Sequence, residues 1–307
     1  MFGGDRTSTS LSYGRCIVTI PIDHRIGRLE SPQWVKFEFS EDPAKHVILN
    51  SVEIFDKDRF FQELSARVKA TGANAAFIFV HGYNVSFEDA ARRTAQIAYD
   101  LKFPGAPVFY SWPSQGGLPE YIVDEANIEW SQANLRAFLS DFFNRSSADQ
   151  VYLIAHSMGN RALTRAVASL LAEDPTVKAR LRDVILTAPD IDAEVFKRDI
   201  APALAVAGAP VTLYASSVDR ALIASQKIHR YPRAGESGKS LVVVKGIETI
   251  DATDVDTSFV GHSYFAESTS VLSDIFYIVQ GKLRAKDRFG LQEAQNEAGP
   301  YWRFKKQ

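Results

Sequence analysis

Two rhythms of apolar and polar residues alternate along this chain. Short continuous apolar runs recur between segments whose apolar positions fall three and four apart. The first three runs are RCIVTIPID from Arg15, WVKFEF from Trp34 and HVILNSVEIF from His46. No helical pattern separates them, so they predict strands forming an antiparallel N-terminal edge. DKDRFFQELSARVKA follows, with Phe60, Phe61, Leu64 and Val68 on one helical face. From there strands and helices alternate. AAFIFVHGYN from Ala75 reads as a buried strand ending in a loop. Ser86 is placed to cap a helix from Phe87 to about Leu101, with Asp89 in its first turn. APVFYSWPS from Ala106 is the next strand, and a loop with Gly116, Gly117 and Pro119 leads to a helix around Ile128 to Phe143. VYLIAHSMG turns directly into a helix carrying Ala162, Leu163, Ala166, Val167, Leu170 and Leu171 at helical spacing. DVILTAPD from Asp183 and PVTLYASSVD from Pro210 are strands with one helix between them. SLVVVKGIETI from Ser240 is the last strand, and a helix near Ser268 to Val279 closes the core.

This order predicts an α/β fold with a mostly parallel sheet and helices on both faces. Residues 1–281 read as one domain. Residues 282–307 read as a tail, charged at Lys282, Arg284, Lys286 and Arg288, with rings at Tyr301, Trp302 and Phe304 that pack on the domain or fray. Only one helix fits between DVILTAPD and PVTLYASSVD, so no large lid is expected.

Composition narrows the function classes. A net charge of -2 leaves no electrostatic footprint for nucleic acid or an anionic membrane. The single cysteine, Cys16, excludes an intrachain disulfide framework and a zinc-ribbon site. No run is long and apolar enough to span a membrane. MFGGDRTSTS lacks the apolar stretch of a signal peptide, so the cytoplasm is the expected compartment unless an export segment has been lost. The histidines and carboxylates show no ligand spacing, and no metal or cofactor is expected. The pattern carries no information on oligomeric state.

The chemistry centres on LIAHSMGN, residues 153–160. A nucleophile elbow needs a buried strand, a sharp turn with small flanking residues, and a helix that starts at once. Ala155 and Gly159 are the small residues around Ser157. Ala155 replaces the first glycine of G-x-S-x-G and adds one methyl that strand packing can accommodate. Taken alone, the stretch reads equally well as a strand-to-helix turn. Order along the chain adds weight, because α/β hydrolases carry their triad as Ser, then Asp or Glu, then His. His262, in VGHSYF, follows the last core strand. His229 lies in the basic, turn-rich KIHRYPRAGESGK and reads as a surface residue. His156 points away from Ser157, and His24 and His46 precede the core. Asp219 follows VTLYASS, the usual station of the acid. Asp190 and Asp192, after the preceding strand, are the alternatives, and Asp192 also suits a helix cap. Asp251, Asp254 and Asp256 lie on the approach to His262. For the oxyanion hole, one N–H comes from Met158. The second comes from HGYN, where Tyr83 is the chosen donor. Each such donor contributes about 3 kcal/mol to the transition state. Gly82, Asn84, Trp112 and Tyr264 are candidates for lining the substrate cleft, as is Tyr121.

With HGYN, YSWPSQG, AHSMGN, LTAPDID, YASSVDRAL and GHSYF in this order, the chain resembles bacterial α/β hydrolases grouped as a domain of unknown function. The similarity runs from about Ser12 to about Gln280. It implies the α/β-hydrolase fold, with Ser157 as nucleophile, Asp219 as acid, His262 as base and HGYN as the oxyanion loop. The expected reaction is hydrolysis of a small-molecule carboxylic ester, with short- to medium-chain acyl or aryl groups. An amidase, thioesterase, acyltransferase or peptidase would use the same triad. A non-catalytic binding module on this fold is the reading from another class.

Overall fold

The computed structural model describes residues 2–6, 10–32, 40–115, 120–217, 222, 225, 229–253, 255 and 269–305. Strands β1 (Tyr13–Thr19) and β2 (Ile48–Phe55) pair antiparallel as a ribbon of their own. Their antiparallel pairing follows the expectation, but they form a separate two-stranded sheet. WVKFEF lies outside the described residues.

Helix α1 (Lys57–Ala70) starts at Asp56, whose side chain accepts from the Arg59 N–H. It buries Phe61, Leu64 and Val68, the stripe its spacing predicted. Six strands then run parallel: β3 (Ala75–Val80), β4 (Ala106–Tyr110), β5 (Gln150–His156), β6 (Leu181–Thr187), β7 (Val211–Ala215) and β8 (Ile247–Asp251). Between them lie α2 (Phe87–Asp100), α3 (Tyr121–Arg145) and α4 (Gly159–Glu173). Then come a short α5 (Ala193–Val195), a π-turn over Phe196–Ile200, and α6 (Ala201–Val206). Helix α7 (Thr269–Val279) follows β8. Between β6 and β7, where every residue is described, nothing larger than this α5–α6 connection occurs, in keeping with the expectation of a single helix there. Among the described residues no helix is long and apolar enough to cross a membrane.

With β9 (Leu291–Asn296) and β10 (Gly299–Phe304) added, the sheet order is β4-β3-β5-β6-β7-β8-β10-β9. The chain leaves β3 toward one edge of the sheet and leaves β5 toward the other. The switch point of the sheet therefore lies at the carboxyl ends of β3 and β5, the place where open α/β sheets bind ligands. Burial on both faces explains the apolar strands. Ala76, Ile78 and Val80 face the layer of α1, α3 and α4, while Phe77 and Phe79 face the layer of α2 and α7.

Three boundaries differ from the sequence expectation. Helix α3 starts a full two turns before Ile128, because its first turns bury Tyr121, Asp124 and Asn127 and expose Ile122 and Val123. That reversal hides the apolar stripe. Strand β8 starts only at Ile247, after Gly246 at φ 92 ends an irregular approach. The segment after Gly281 enters the sheet. Strands β9 (Leu291–Asn296) and β10 (Gly299–Phe304) form a hairpin, and β10 pairs parallel with β8. Arg284 reaches Asp183 at 2.6 Å, and Arg288 reaches Asp274 at 2.7 Å. Tyr301 and Trp302 pack on opposite faces of the sheet.

Candidate active site

Ser157 stands at the junction of β5 and α4 with φ 49, in the left-handed region. An L-residue pays about 1–2 kcal/mol there, so the surroundings must hold it. They do so through both backbone groups. The Ser157 N–H donates to Thr187 O at 3.0 Å. Its carbonyl accepts from the Asn160 N–H (3.2 Å), the Asn160 Nδ2 (2.9 Å) and the Asp190 N–H (3.2 Å). Asn160 Nδ2 also donates to Thr187 O at 3.1 Å, joining the elbow to β6.

Small residues are needed on two sides of this turn. A Cβ on Gly159 would lie 2.4 Å from His81 O, and one on Gly82 would lie 2.9 Å from Ser157 Cβ. Ala155 has no such neighbour to avoid. Its strand residue pairs with Val80 and its methyl belongs to the core on the α4 side. The first glycine of the motif is dispensable here because strand and helix close up one turn later, at Gly159.

The loop after β3 lies against the elbow and is held from behind. His81 is fully buried, with Nε2 accepting from the Trp112 N–H at 3.1 Å and Nδ1 2.8 Å from Gly82 O. That pairing assigns the proton to Nδ1. Ser111 Oγ lies 3.3 Å from the same Nε2, the Trp112 indole stacks on the imidazole at 5.0 Å, and its Nε1 donates to His81 O. Burial pushes the His81 pKa down to about 4, against the pull of its backbone bonds, so the ring is neutral. Trp112 thus braces the loop from a buried position. Asn84, exposed at φ 56, donates its N–H to Ser114 Oγ at 3.0 Å, and Ser114 donates to Asp124 Oδ2 at 2.6 Å. Burial raises the Asp124 pKa, opposed by hydrogen bonds from Ser114, Gln115, Asn84 and Asn127. Tyr83 is buried, its ring edge-on to Tyr121 at 5.3 Å. Met158, the other oxyanion candidate, is buried at the start of α4.

Residues 56–280 match a family described as "Alpha/beta hydrolase of unknown function" (DUF900). The chain belongs to that family. A search of curated proteins found no match. Similar solved structures include lipase B of Aspergillus fumigatus, at 13% identity and TM-score 0.41, over 68% of this chain and 53% of that one. A hydrolase of Thermoplasma acidophilum described as CIB-like has 14% identity and TM-score 0.38, over 67% and 84%. An esterase of Pyrococcus furiosus has 14% identity and TM-score 0.34, over 60% and 74%. The chain spans about half the length of the Aspergillus lipase it matches.

Within this α/β hydrolase, the remaining candidates separate clearly. Asp219, His262 and Tyr264 lie outside the described residues, as do Asp254 and Asp256. Asp190 is buried and fully engaged. Its Oδ1 accepts from Ser225 Oγ at 2.6 Å and lies 3.2 Å from Arg233 Nε. Its Oδ2 accepts from Tyr121 Oη and lies 3.3 Å from Arg161. Burial alone would raise its pKa, but Arg161 and Arg233, with the bonds from Ser225 and Tyr121, hold it below the usual carboxylate range. Asp192 caps α5, accepting from the Glu194 and Val195 N–H groups. Asp251 accepts from the Thr253 N–H at the end of β8. His229 pairs with Glu125 at 2.9 Å, and its pKa is lowered by burial and by Arg233. His156 is buried beside the elbow. His24 bridges Glu30 and Asp100, and His46 accepts from the Asp42 N–H. A cavity of about 280 Å³ lies elsewhere, between the β1–β2 ribbon and the edge strand β4, and none of the site candidates lines it.

Sequence reasoning missed Asn160, His81 as a brace, Asp124 and Arg161. Asn160 and His81 lay inside motifs already singled out, where a polar residue beside a tight turn is itself a signal. Asp124 and Arg161 gave none, because their partners lie in other elements: the loop after β4 for Asp124, and α3 and the turn after β6 for Arg161.

Proposed function

We propose that the protein is a serine hydrolase that cleaves short- to medium-chain acyl or aryl carboxylic esters through an acyl-enzyme on Ser157. The observation that carries this reading is the left-handed backbone of Ser157 at the β5–α4 junction, facing the loop of Gly82 and Tyr83. A cost of that kind is retained where it aims a functional group. Ser157 Oγ attacks the ester carbonyl carbon and His262 takes the hydroxyl proton. The oxyanion is received by the N–H groups of Met158 and Tyr83. Collapse breaks the ester C–O bond, and the alcohol leaves with the proton from His262. Water, deprotonated by the same histidine, then releases the acid and restores Ser157. Asp219 holds the tautomer of His262. The bonds that Asp190 already makes, Oδ1 to Ser225 and Oδ2 to Tyr121 and Arg161, support this choice of acid. The short α5–α6 connection supports an open cleft suited to modest esters.

A fluorophosphonate probe should label the wild type once, and Ser157→Ala should fold and escape labelling. Wild type should also cleave p-nitrophenyl acetate and butyrate. Failure of both labelling and cleavage would rule out the serine-esterase reading. Full activity in Asp219→Asn would move the acid's role to another residue.

A further inference from the structure

We propose that Asp190 is a positioning residue, a buried ionic hub that holds the nucleophile elbow, the oxyanion loop and the segment after β7 in one register. The role in catalysis rests on the Ser157 reading above. The tie itself does not.

Three bodies of the site meet at this one residue. Toward the elbow, the Asp190 N–H donates to Ser157 O at 3.2 Å, and its carbonyl accepts from Arg161 Nε, in the first turn of α4, at 2.6 Å. Toward the oxyanion loop, Oδ2 accepts from Tyr121 Oη, and the Tyr121 ring meets the Tyr83 ring. Arg161 reinforces this arm, reaching Tyr121 Oη at 3.1 Å and Glu125 at 2.6 Å. Toward the segment after β7, Oδ1 accepts from Ser225 Oγ, which also accepts from Arg233 Nε at 2.8 Å. The backbone repeats that third arm, because Ala234 N–H donates to Ile191 O at 2.8 Å and Gly235 N–H donates to Pro189 O at 2.9 Å.

Such a hub is an unusual use of a carboxylate. A surface ion pair adjusts freely, but a buried carboxylate bonded on both oxygens has few geometries open to it. The nucleophile, its oxyanion donor and the loop that precedes the last core strands come from distant parts of the chain. The β3–β5 pairing and the close approach at Gly82 and Gly159 seat the first two side by side, and a misplacement of about 1 Å costs about a hundredfold in rate. Asp190 links all three: its backbone bonds the elbow, its carboxylate bonds Ser225, and through Tyr121 it reaches the Tyr83 ring.

The test uses Asp190→Asn in the full chain, with Tyr121→Phe as a milder variant that keeps every charge. Two readouts are taken well below each variant's melting temperature. Amide exchange reports the tie directly. In Asp190→Asn the N–H groups of Asn160, Ala234 and Gly235 should exchange at least about tenfold faster relative to amides of β3 and β5. Fluorophosphonate labelling of Ser157 reports the catalytic consequence. Its rate per folded molecule should fall about a hundredfold in Asp190→Asn and less in Tyr121→Phe. The double variant should lose less than the product of the two, because both act through one contact. Unchanged exchange at those three amides overturns the hub. Faster exchange with an unchanged labelling rate overturns its part in catalysis. Loss of all labelling in Asp190→Asn, with Asp219→Asn fully active, would make Asp190 the acid and overturn the proposal. Absence of labelling in wild type sinks the serine-hydrolase reading and the positioning role together, while exchange still decides whether the tie exists.

Discussion

Gly159→Ala tests how close the approach of α4 to β3 has to be. The added Cβ would lie 2.4 Å from His81 O, 2.8 Å from Val80 O and 3.1 Å from His81 C, all backbone atoms at the end of β3. Ordinary contact begins near 3.4 Å, so the first turn of α4 or the end of β3 must retreat by 1.0 Å. Alanine is the better helix former, by about 1 kcal/mol in a helix interior. Gly159 is the first residue of α4, where that gain is smaller. Overpacking of a backbone that cannot rotate aside costs about 1–3 kcal/mol, so the clash wins and the variant should lose about 1–2 kcal/mol by urea titration. The same retreat separates Ser157 from the loop of Gly82 and Tyr83, and the labelling rate should fall about a hundredfold. Ala155→Gly is the control. It restores the motif glycine but deletes a buried methyl from the core, so it should cost about 1–2 kcal/mol and leave the labelling rate unchanged. If Gly159→Ala matches wild type in both stability and labelling, the close-approach argument is wrong.

Two further predictions follow from local geometry. Ser157→Gly should escape labelling and be about 0.5–1 kcal/mol more stable than wild type, because relief of the left-handed backbone exceeds the added entropy of the unfolded chain; a loss of stability in urea would contradict the strain argument. For His81, the folded pKa of about 4 lies below the unfolded value of 6.5. Its contribution is therefore complete above pH 6.5 and is lost as the pH falls through 4, worth about 3 kcal/mol across that window. The stability difference between wild type and His81→Gln should shrink from pH 7 to pH 4, and a difference independent of pH would mean the ring is not buried in its neutral form.

Much of this protein could be read along the chain, because burial of a face leaves a local trace. The stripe of α1, the Ser86 cap of α2, the continuous apolar run of β3 and the Asp192 cap of α5 are short-range facts. Each depends on neighbours three or four residues away or on a strand buried on both faces. The elbow was legible for the same reason, since strand, small residues, serine and helix occupy one continuous stretch. Ala155 raised a doubt that only the sheet could answer. The glycine that matters is the one that meets the backbone of β3, and register decides which one that is. Strands β9 and β10 leave no clear trace along the chain, because LQEAQN is a half-exposed edge strand with little apolar content and GPYWRF does not alternate cleanly; the open side of β8, which β10 fills, makes them strands. Tertiary structure alone decided the partners of the buried polar groups. His81 finds Trp112, Asp124 finds Ser114 and Asn84, and Asp190 finds Tyr121, Arg161, Ser225 and Arg233. Periodicity encodes which side of an element is buried. The pairing of buried polar groups depends on how elements far apart in sequence are packed, and no local pattern carries it.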